Sequence, residues 1–236
     1  MAIEKVVLIT GATGSVGKVV STRMAKAGYR LVLTARSQEP LIALASQLNM
    51  DKGRVLTHPA DITDSDSVHQ LFEAIEEWGS GVDILVNTAG GWKGGKPLEE
   101  VTDTEWDATL RLNLQTAFLV NRAVIPHMVK REWGRIINIA SKAAVSPGSR
   151  QAAYNVSKAG VIALTQSISI EYRRKGIAAN VILPSIIDTP ANRKQMPDAD
   201  YSRWVTPGQL SELILFLCTE EGGSLNGASI PLYGTV

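Results

Sequence analysis

Val6 to Thr10 is a short apolar and β-branched run that ends directly in glycines at positions 11, 14 and 17, and apolar residues then recur at helical spacing until Gly28. A strand that turns this abruptly into a helix needs backbone free to take positive φ and to be approached closely, as at the opening of a βαβ unit. The alternation continues along the chain. Strands are predicted over 6–10, 30–34, 54–58, 83–86, 135–140, 177–183 and 228–232, and helices over 15–27, 41–48, 64–78, 103–130, 151–174 and 207–217. Asp64, Ser65 and Asp66 are candidate caps for the third helix, and Pro126 predicts a kink or break in the fourth. Strands separated by helices pair in parallel, so the expected class is α/β, a doubly wound parallel sheet of about seven strands with helices on both faces. No repeat or linker divides the 236 residues, and one domain over 1–236 is expected.

With 44% hydrophobic and 20% charged residues the chain can bury a large core. Its 24 Lys+Arg against 23 Asp+Glu leave a formal charge of +1, without the electrostatic footprint of a nucleic-acid or anionic-membrane binder, so neither partner is expected. Cys218 alone excludes an internal disulfide and a cysteine zinc site and suits a reducing compartment. His58, His69 and His127 lack metal-ligand spacing, so no metal is expected. The opening Met1-Ala2-Ile3-Glu4-Lys5 leads into an apolar run of only Val6-Val7-Leu8-Ile9, short of a signal segment and of the ~20 residues that cross a bilayer. A cytoplasmic protein is expected.

In Thr10-Gly11-Ala12-Thr13-Gly14-Ser15-Val16-Gly17, Gly11 permits the tight turn, Gly14 lets backbone approach a pyrophosphate, and Gly17 lets the helix pack on the strand. The free N–H groups of the helix start, in the stretch Thr13, Gly14, Ser15 and Val16, would face the anion. The alternative is a plain glycine-rich turn. At the end of the second strand Ala35 stands where an acid would bind the ribose hydroxyl of NAD(H), while Arg36 and Ser37 suit a 2′-phosphate. NADP(H) is therefore the expected cofactor, with Glu39 keeping NAD(H) open and a solvated loop cation as the alternative for Arg36.

Further elements follow in order: Asp61-Ile62, Asn87-Thr88-Ala89-Gly90, Asn113, Ser141, Tyr154-Asn155-Val156-Ser157-Lys158, and Pro184-Ser185-Ile186-Ile187-Asp188-Thr189. Tyr154 and Lys158 lie four apart, so a helix puts both on one face, where the ammonium is expected to lower the phenol pKa and make Tyr154 a general acid. Ser141, just beyond a buried strand, can donate to a carbonyl oxygen as charge develops there. Over nearly its whole length the chain resembles the short-chain dehydrogenase/reductase family, and within it the 3-oxoacyl-carrier-protein reductases.

The resemblance implies a Rossmann fold and an NADP(H)-dependent oxidoreductase working on a carbonyl/secondary alcohol pair, first a 3-oxoacyl thioester or small ketone. It also implies a homodimer or homotetramer. Lys158 would hold the nicotinamide ribose, Asn113 a water-mediated proton path, Asn87, Ala89 and Gly90 the adenine-ribose side, and Asp61 with Ile62 the adenine. Pro184, Ile187 and Thr189 would flank the nicotinamide. Read from residues alone, Asn113 is equally a satisfied core amide and Asp61 equally the start of a capping loop.

Two departures stand out. Ser15 occupies the family's middle glycine position with Gly14 one residue earlier, the spacing of an extended branch that includes sugar-nucleotide epimerases, and Ser185 replaces a common glycine. An NAD-dependent epimerase and a non-catalytic NADP-binding regulator are therefore the rival readings. Substrate specificity is expected from the glycine-rich loop around Trp92 and from a lid over 189–204 with Met196, Tyr201 and Trp204. Lys93, Lys96, Arg150 and Arg193 would suit an anionic substrate or an acidic carrier protein.

Overall fold

The computed structural model describes residues 5–79 and 81–235, so the opening Met1 to Glu4 lies outside the described residues. Strands β1 (Val6–Thr10), β2 (Arg30–Ala35), β3 (Val55–Pro59), β4 (Ile84–Asn87), β5 (Gly134–Ile139), β6 (Ile177–Pro184) and β7 (Ser229–Leu232) form one sheet in the order β3-β2-β1-β4-β5-β6-β7. Every pairing is parallel. The helices are α1 (Ser15–Lys26), α2 (Gln38–Leu48), α3 (Ser65–Glu77), α4 (Asp103–Leu110), α5 (Thr116–Arg131), α6 (Ala152–Tyr172), α7 (Pro190–Gln195) and α8 (Pro207–Leu217). No helix among the described residues is long and apolar enough to cross a membrane.

Successive strand residues face opposite layers, and both layers are covered. Val6 and Leu8 pack with Leu71 and Ile75 of α3 and Val120 and Val124 of α5. Val7 and Ile9 pack instead with Val20 and Met24 of α1 and Leu210 and Ile214 of α8. Each such side chain contributes about 1.5–3 kcal/mol on burial. The strand order reverses between β1 and β4, so the loops leaving their carboxyl ends diverge and open a crevice, where sheets of this kind bind ligands.

The expected strands and helices are present, with limits displaced by up to a few residues. The α2 helix begins at Gln38, not at 41, and Asp64 alone of the three candidates caps α3, accepting from the Ser67 N–H at 2.9 Å. The long fourth helix breaks elsewhere than expected. Pro126 lies inside α5 without ending it, and the interruption is a π-helical turn at Arg111–Gln115. There the Thr116 N–H reaches back to the Arg111 carbonyl, and Asn113 donates its side-chain amide to the Thr109 carbonyl at 3.2 Å. That side-chain bond and the widened turn go together, and such bulges cluster at functional sites. The loop predicted over 189–204 contains the short helix α7, and Trp204 is 5% exposed with its ring 4.8 Å from Tyr201. Trp204 is an anchor in the core rather than a lid residue.

Candidate active site

The glycine turn leaves β1 at the crevice. Gly11 has φ +61, and a Cβ there would sit 3.0 Å from the Ala89 Cα. At Gly17 a Cβ would meet the Ala12 Cα at 2.7 Å and the Gly11 carbonyl oxygen closer still, so only glycine lets α1 start against the turn. Gly14 caps α1 without a side-chain hydrogen bond, and the first turn carries no acidic residue. The leading N–H groups of α1, from Ser15 and Val16, therefore have no capping side chain, as an anion-binding helix start requires. These features fit a dinucleotide pyrophosphate. Arg36 and Ser37 follow β2 and are exposed, and the Arg36 charge acts on Asp61. The Asp61 carboxylate accepts from the Thr63 N–H and hydroxyl at 3.0 and 2.8 Å, which with Arg36 and Arg111 holds its pKa below the usual value. Asp61 thus organises its own loop, as its alternative reading expected. Ile62 is buried against the sheet.

Beyond β4, Gly90 has φ +151, and a Cβ there would lie 2.9 Å from Asn113 Oδ1 and 3.2 Å from Lys158 Nζ. The missing side chain brings the Asn113 amide and the Lys158 ammonium together across the loop. Asn113 is buried and clamps Gly91 from both sides, accepting its N–H at 3.1 Å and donating to its carbonyl at 3.0 Å. Lys158 donates to the Ile139 carbonyl at 3.0 Å, and its Nζ is 6.0 Å from the Tyr154 ring centroid. Ser141 hydrogen-bonds Tyr154, and its hydroxyl oxygen also accepts the Ala143 N–H at 3.1 Å. The three side chains meet at the carboxyl edge of β5. One electrostatic expectation is corrected: the Tyr154 pKa is raised, because burial of the phenol outweighs the lowering from Ser141.

The side chain of Asn87, at the end of β4, faces the interior. It accepts from the Thr10 hydroxyl at 3.1 Å and donates to Asn138 Oδ1 at 2.7 Å. Asn138 also accepts from Asn121 at 3.1 Å and donates to Thr165 at 2.9 Å. This buried network ties β1, β4, β5, α5 and α6 together. Asn138, Asn121 and Thr165 escaped the sequence reading because isolated polar residues in apolar runs read the same whether or not they bond to one another.

The sequence matches the family described as short chain dehydrogenase over residues 5–200. The chain belongs to that family. BbsD, a subunit of a hydroxy(phenyl)methylsuccinyl-CoA dehydrogenase from Thauera aromatica, is 34% identical, with 98% of this chain and 96% of that protein aligned. The 3-oxoacyl-acyl-carrier-protein reductase FabG of Aquifex aeolicus is 30% identical over 98% of this chain and 96% of its own. A crystal structure of actinorhodin polyketide ketoreductase with NADPH superposes with a TM-score of 0.90 at 28% identity, covering 99% of this chain and 98% of that one. This chain is accordingly an NAD(P)(H)-dependent oxidoreductase with the short-chain dehydrogenase Rossmann fold.

In this short-chain dehydrogenase Ser185 needs no glycine: its φ is not positive, and its hydroxyl donates to the Tyr233 carbonyl at 2.7 Å. Pro184 ends β6, Ile187 bridges to Val205, and Thr189 caps α7 by accepting the Asn192 N–H at 3.2 Å. A cavity of about 340 Å³ opens at the start of α6, bordered by Trp92, Thr109, Gln151 and Ala153, the residue before Tyr154. Gln151 and Gln195, both on its lining, carried no signal in the sequence.

Burial holds the Lys158 ammonium down to about 8, against an ordinary 10.5. Since the folded pKa lies below the unfolded one, the cost of the buried charge is fully present below about pH 8 and fades as pH rises towards 10.5. Lys158→Met is therefore expected to melt several degrees above the parent at pH 7, with the gap closing in the alkaline range. Thermal melts at fixed ionic strength check this, and a lowered Tm at pH 7 contradicts it.

Proposed function

We propose that the protein interconverts a carbonyl compound and its secondary alcohol with NADP(H), using Tyr154 as general acid and base. The observation that carries this is the meeting of Ser141, Tyr154 and Lys158 at the sheet edge beside the glycine turn. The Gly11–Gly17 turn would hold the pyrophosphate, Arg36 and Ser37 the 2′-phosphate, Asp61, Ile62 and the Ala89–Gly90 backbone the adenosine side, and Lys158, Pro184, Ile187 and Thr189 the nicotinamide side. When bound, a nicotinamide supplies the hydride that goes to the carbonyl carbon.

The protein's own part is the oxygen. Ser141 donates a hydrogen bond to it, and Tyr154 transfers its phenolic proton as the negative charge develops. Lys158, charged at neutral pH, favours the phenolate that remains, and with Asn113 it forms the inner end of a path that restores the proton. The raised phenol pKa suits reduction, since a protonated acid must be present at the start.

The substrate reading, a 3-oxoacyl thioester or small ketone, draws on the similarity to FabG and BbsD. Nicotinamide oxidation followed by absorbance, against 3-oxoacyl thioesters and small ketones with NADPH and NADH, tests it. Turnover with NADPH supports the reading. Silence on every substrate, with NADPH still bound, moves it to the non-catalytic regulator. The epimerase reading is less supported because the relatives that align with nearly the whole chain are named as a dehydrogenase subunit and a reductase.

The same reading expects a homodimer or homotetramer. Phe118 of α5 and Val156 and Ile170 of α6 are 43%, 47% and 68% exposed, a large apolar presence on two long helices. Gly160 of α6 packs against Leu114 of its own chain. Light scattering is expected to give a multiple of the 25.4 kDa chain mass, and a concentration-independent monomer overturns the expectation.

A further inference from the structure

We infer that the cavity at the start of α6, which Ala153 next to Tyr154 helps to line, carries an anion subsite, formed by Arg150 and Lys93, for a carboxylate or phosphate at the end of the substrate far from the reacting carbonyl. It rests on the carbonyl–alcohol reading above and names a substrate class within it. Lys93, Lys96 and Arg150 line the cavity and Arg193 lies two residues before its lining residue Gln195, and ion pairing removes two of these four cations. Lys96 is bound to Glu105 at 2.6 Å, and Arg193 grips Asp188 with two bonds of 2.6 and 2.8 Å. Arg150 and Lys93, both on the cavity lining, have no acidic partner among the described residues. Glu105, the one carboxylate on that lining, is occupied by Lys96 and by the Thr102 cap, so the cavity is left with a net positive charge.

The position of Arg150 is built rather than incidental. Its backbone is left-handed at φ +58, a conformation unfavourable for a non-glycine residue that persists where the surroundings impose it. Its carbonyl accepts the Gly95 N–H at 2.7 Å, and a Cβ on Gly94 would come within 2.9 Å of that same oxygen and of the Trp92 ring. Trp92 in turn donates its indole N–H to Gln151 at 2.7 Å. The glycine-rich loop and the segment leading into α6 are thus locked together, fixing the guanidinium-bearing residue at the cavity. A guanidinium pairs with a carboxylate or phosphate through two parallel bonds, and Trp92 with Ala153 offers apolar surface to the carbon chain between the two ends.

The test uses protein saturated with NADP+, so that binding is read without turnover. 3-Oxobutanoate, 4-oxopentanoate and 5-oxohexanoate are titrated calorimetrically alongside their methyl esters, and the same compounds are assayed for NADPH oxidation. At least one acid is expected to bind about tenfold more tightly than its ester, with the difference reduced by added salt. Arg150→Gln and Lys93→Gln should remove that preference while leaving ester binding unchanged, and Arg150→Lys should keep most of it. Arg150→Gly serves as a second variant, because it removes the cation and also relieves the backbone, so it should lose the preference without losing stability. Equal affinity for acids and esters overturns the subsite, even if both are reduced. A clear acid preference in binding with no turnover of any compound keeps the subsite and overturns the reductase reading.

Discussion

Tyr154→Phe is expected to lower kcat by about 10²–10⁴-fold while NADPH binding, read by fluorescence, changes little. The substitution removes one hydroxyl and keeps the ring that packs at the start of α6. Tyr154 is half-buried and hydrogen-bonded to Ser141, so its phenol is the acidic group placed at the serine proposed to orient the carbonyl. Without it the oxygen of the forming alkoxide would have only the Ser141 hydroxyl, a far weaker acid than a phenol held near an ammonium. The loss should fall on kcat rather than KM, because proton transfer belongs to the transition state and not to substrate binding. Turnover within a few-fold of the parent would show that another group delivers the proton. It would also leave Lys158 as an expensive buried charge without a purpose.

Arg36→Asp is expected to reverse the cofactor preference. The guanidinium stands at the end of β2, exposed and with no hydrogen-bond or ion-pair partner among the described residues, close enough to Asp61 to lower that carboxyl's pKa. Such a cation can form charge-assisted bonds to a 2′-phosphate, each worth about 1.5–3 kcal/mol, and the aspartate would repel the same group. kcat/KM for NADPH should fall about a hundredfold or more, and that for NADH should hold steady or rise as the new carboxylate meets the ribose hydroxyl. Steady-state kinetics with both coenzymes measures it. Equal losses with both would remove Arg36 from the phosphate site and return it to the solvated loop cation of the alternative reading.

Much of this molecule was legible in its residues for definite reasons. The apolar runs of β1 and β4, and that of β6 apart from its break at Asn180, are nearly continuous because both faces of the sheet are covered, and that pattern separates buried parallel strands from the helices between them. The glycines at 11 and 17 announce themselves because no other residue meets their contacts. Spacing alone put Tyr154 and Lys158 on one helical face. The break in the fourth helix was misplaced since Pro126 has a local signature, whereas the π turn at Arg111–Gln115 accompanies a bond from Asn113 to a loop more than twenty residues away.

The sequence by itself determined the order of strands and helices, the glycine turn and the spacing that puts Tyr154 and Lys158 on one helical face, because each depends on periodicity or on steric demands within a few residues. Only the tertiary structure decided the environment of those side chains. It turned the Asn87 amide inward to Asn138, raised the Tyr154 pKa through burial where proximity to Lys158 alone suggested lowering, and paired Lys96 and Arg193 while leaving Arg150 and Lys93 without acidic partners among the described residues. Desolvation, ion pairing and cavity shape arise from groups that are distant along the chain and adjacent in space, and no local pattern of residues encodes which of them will meet.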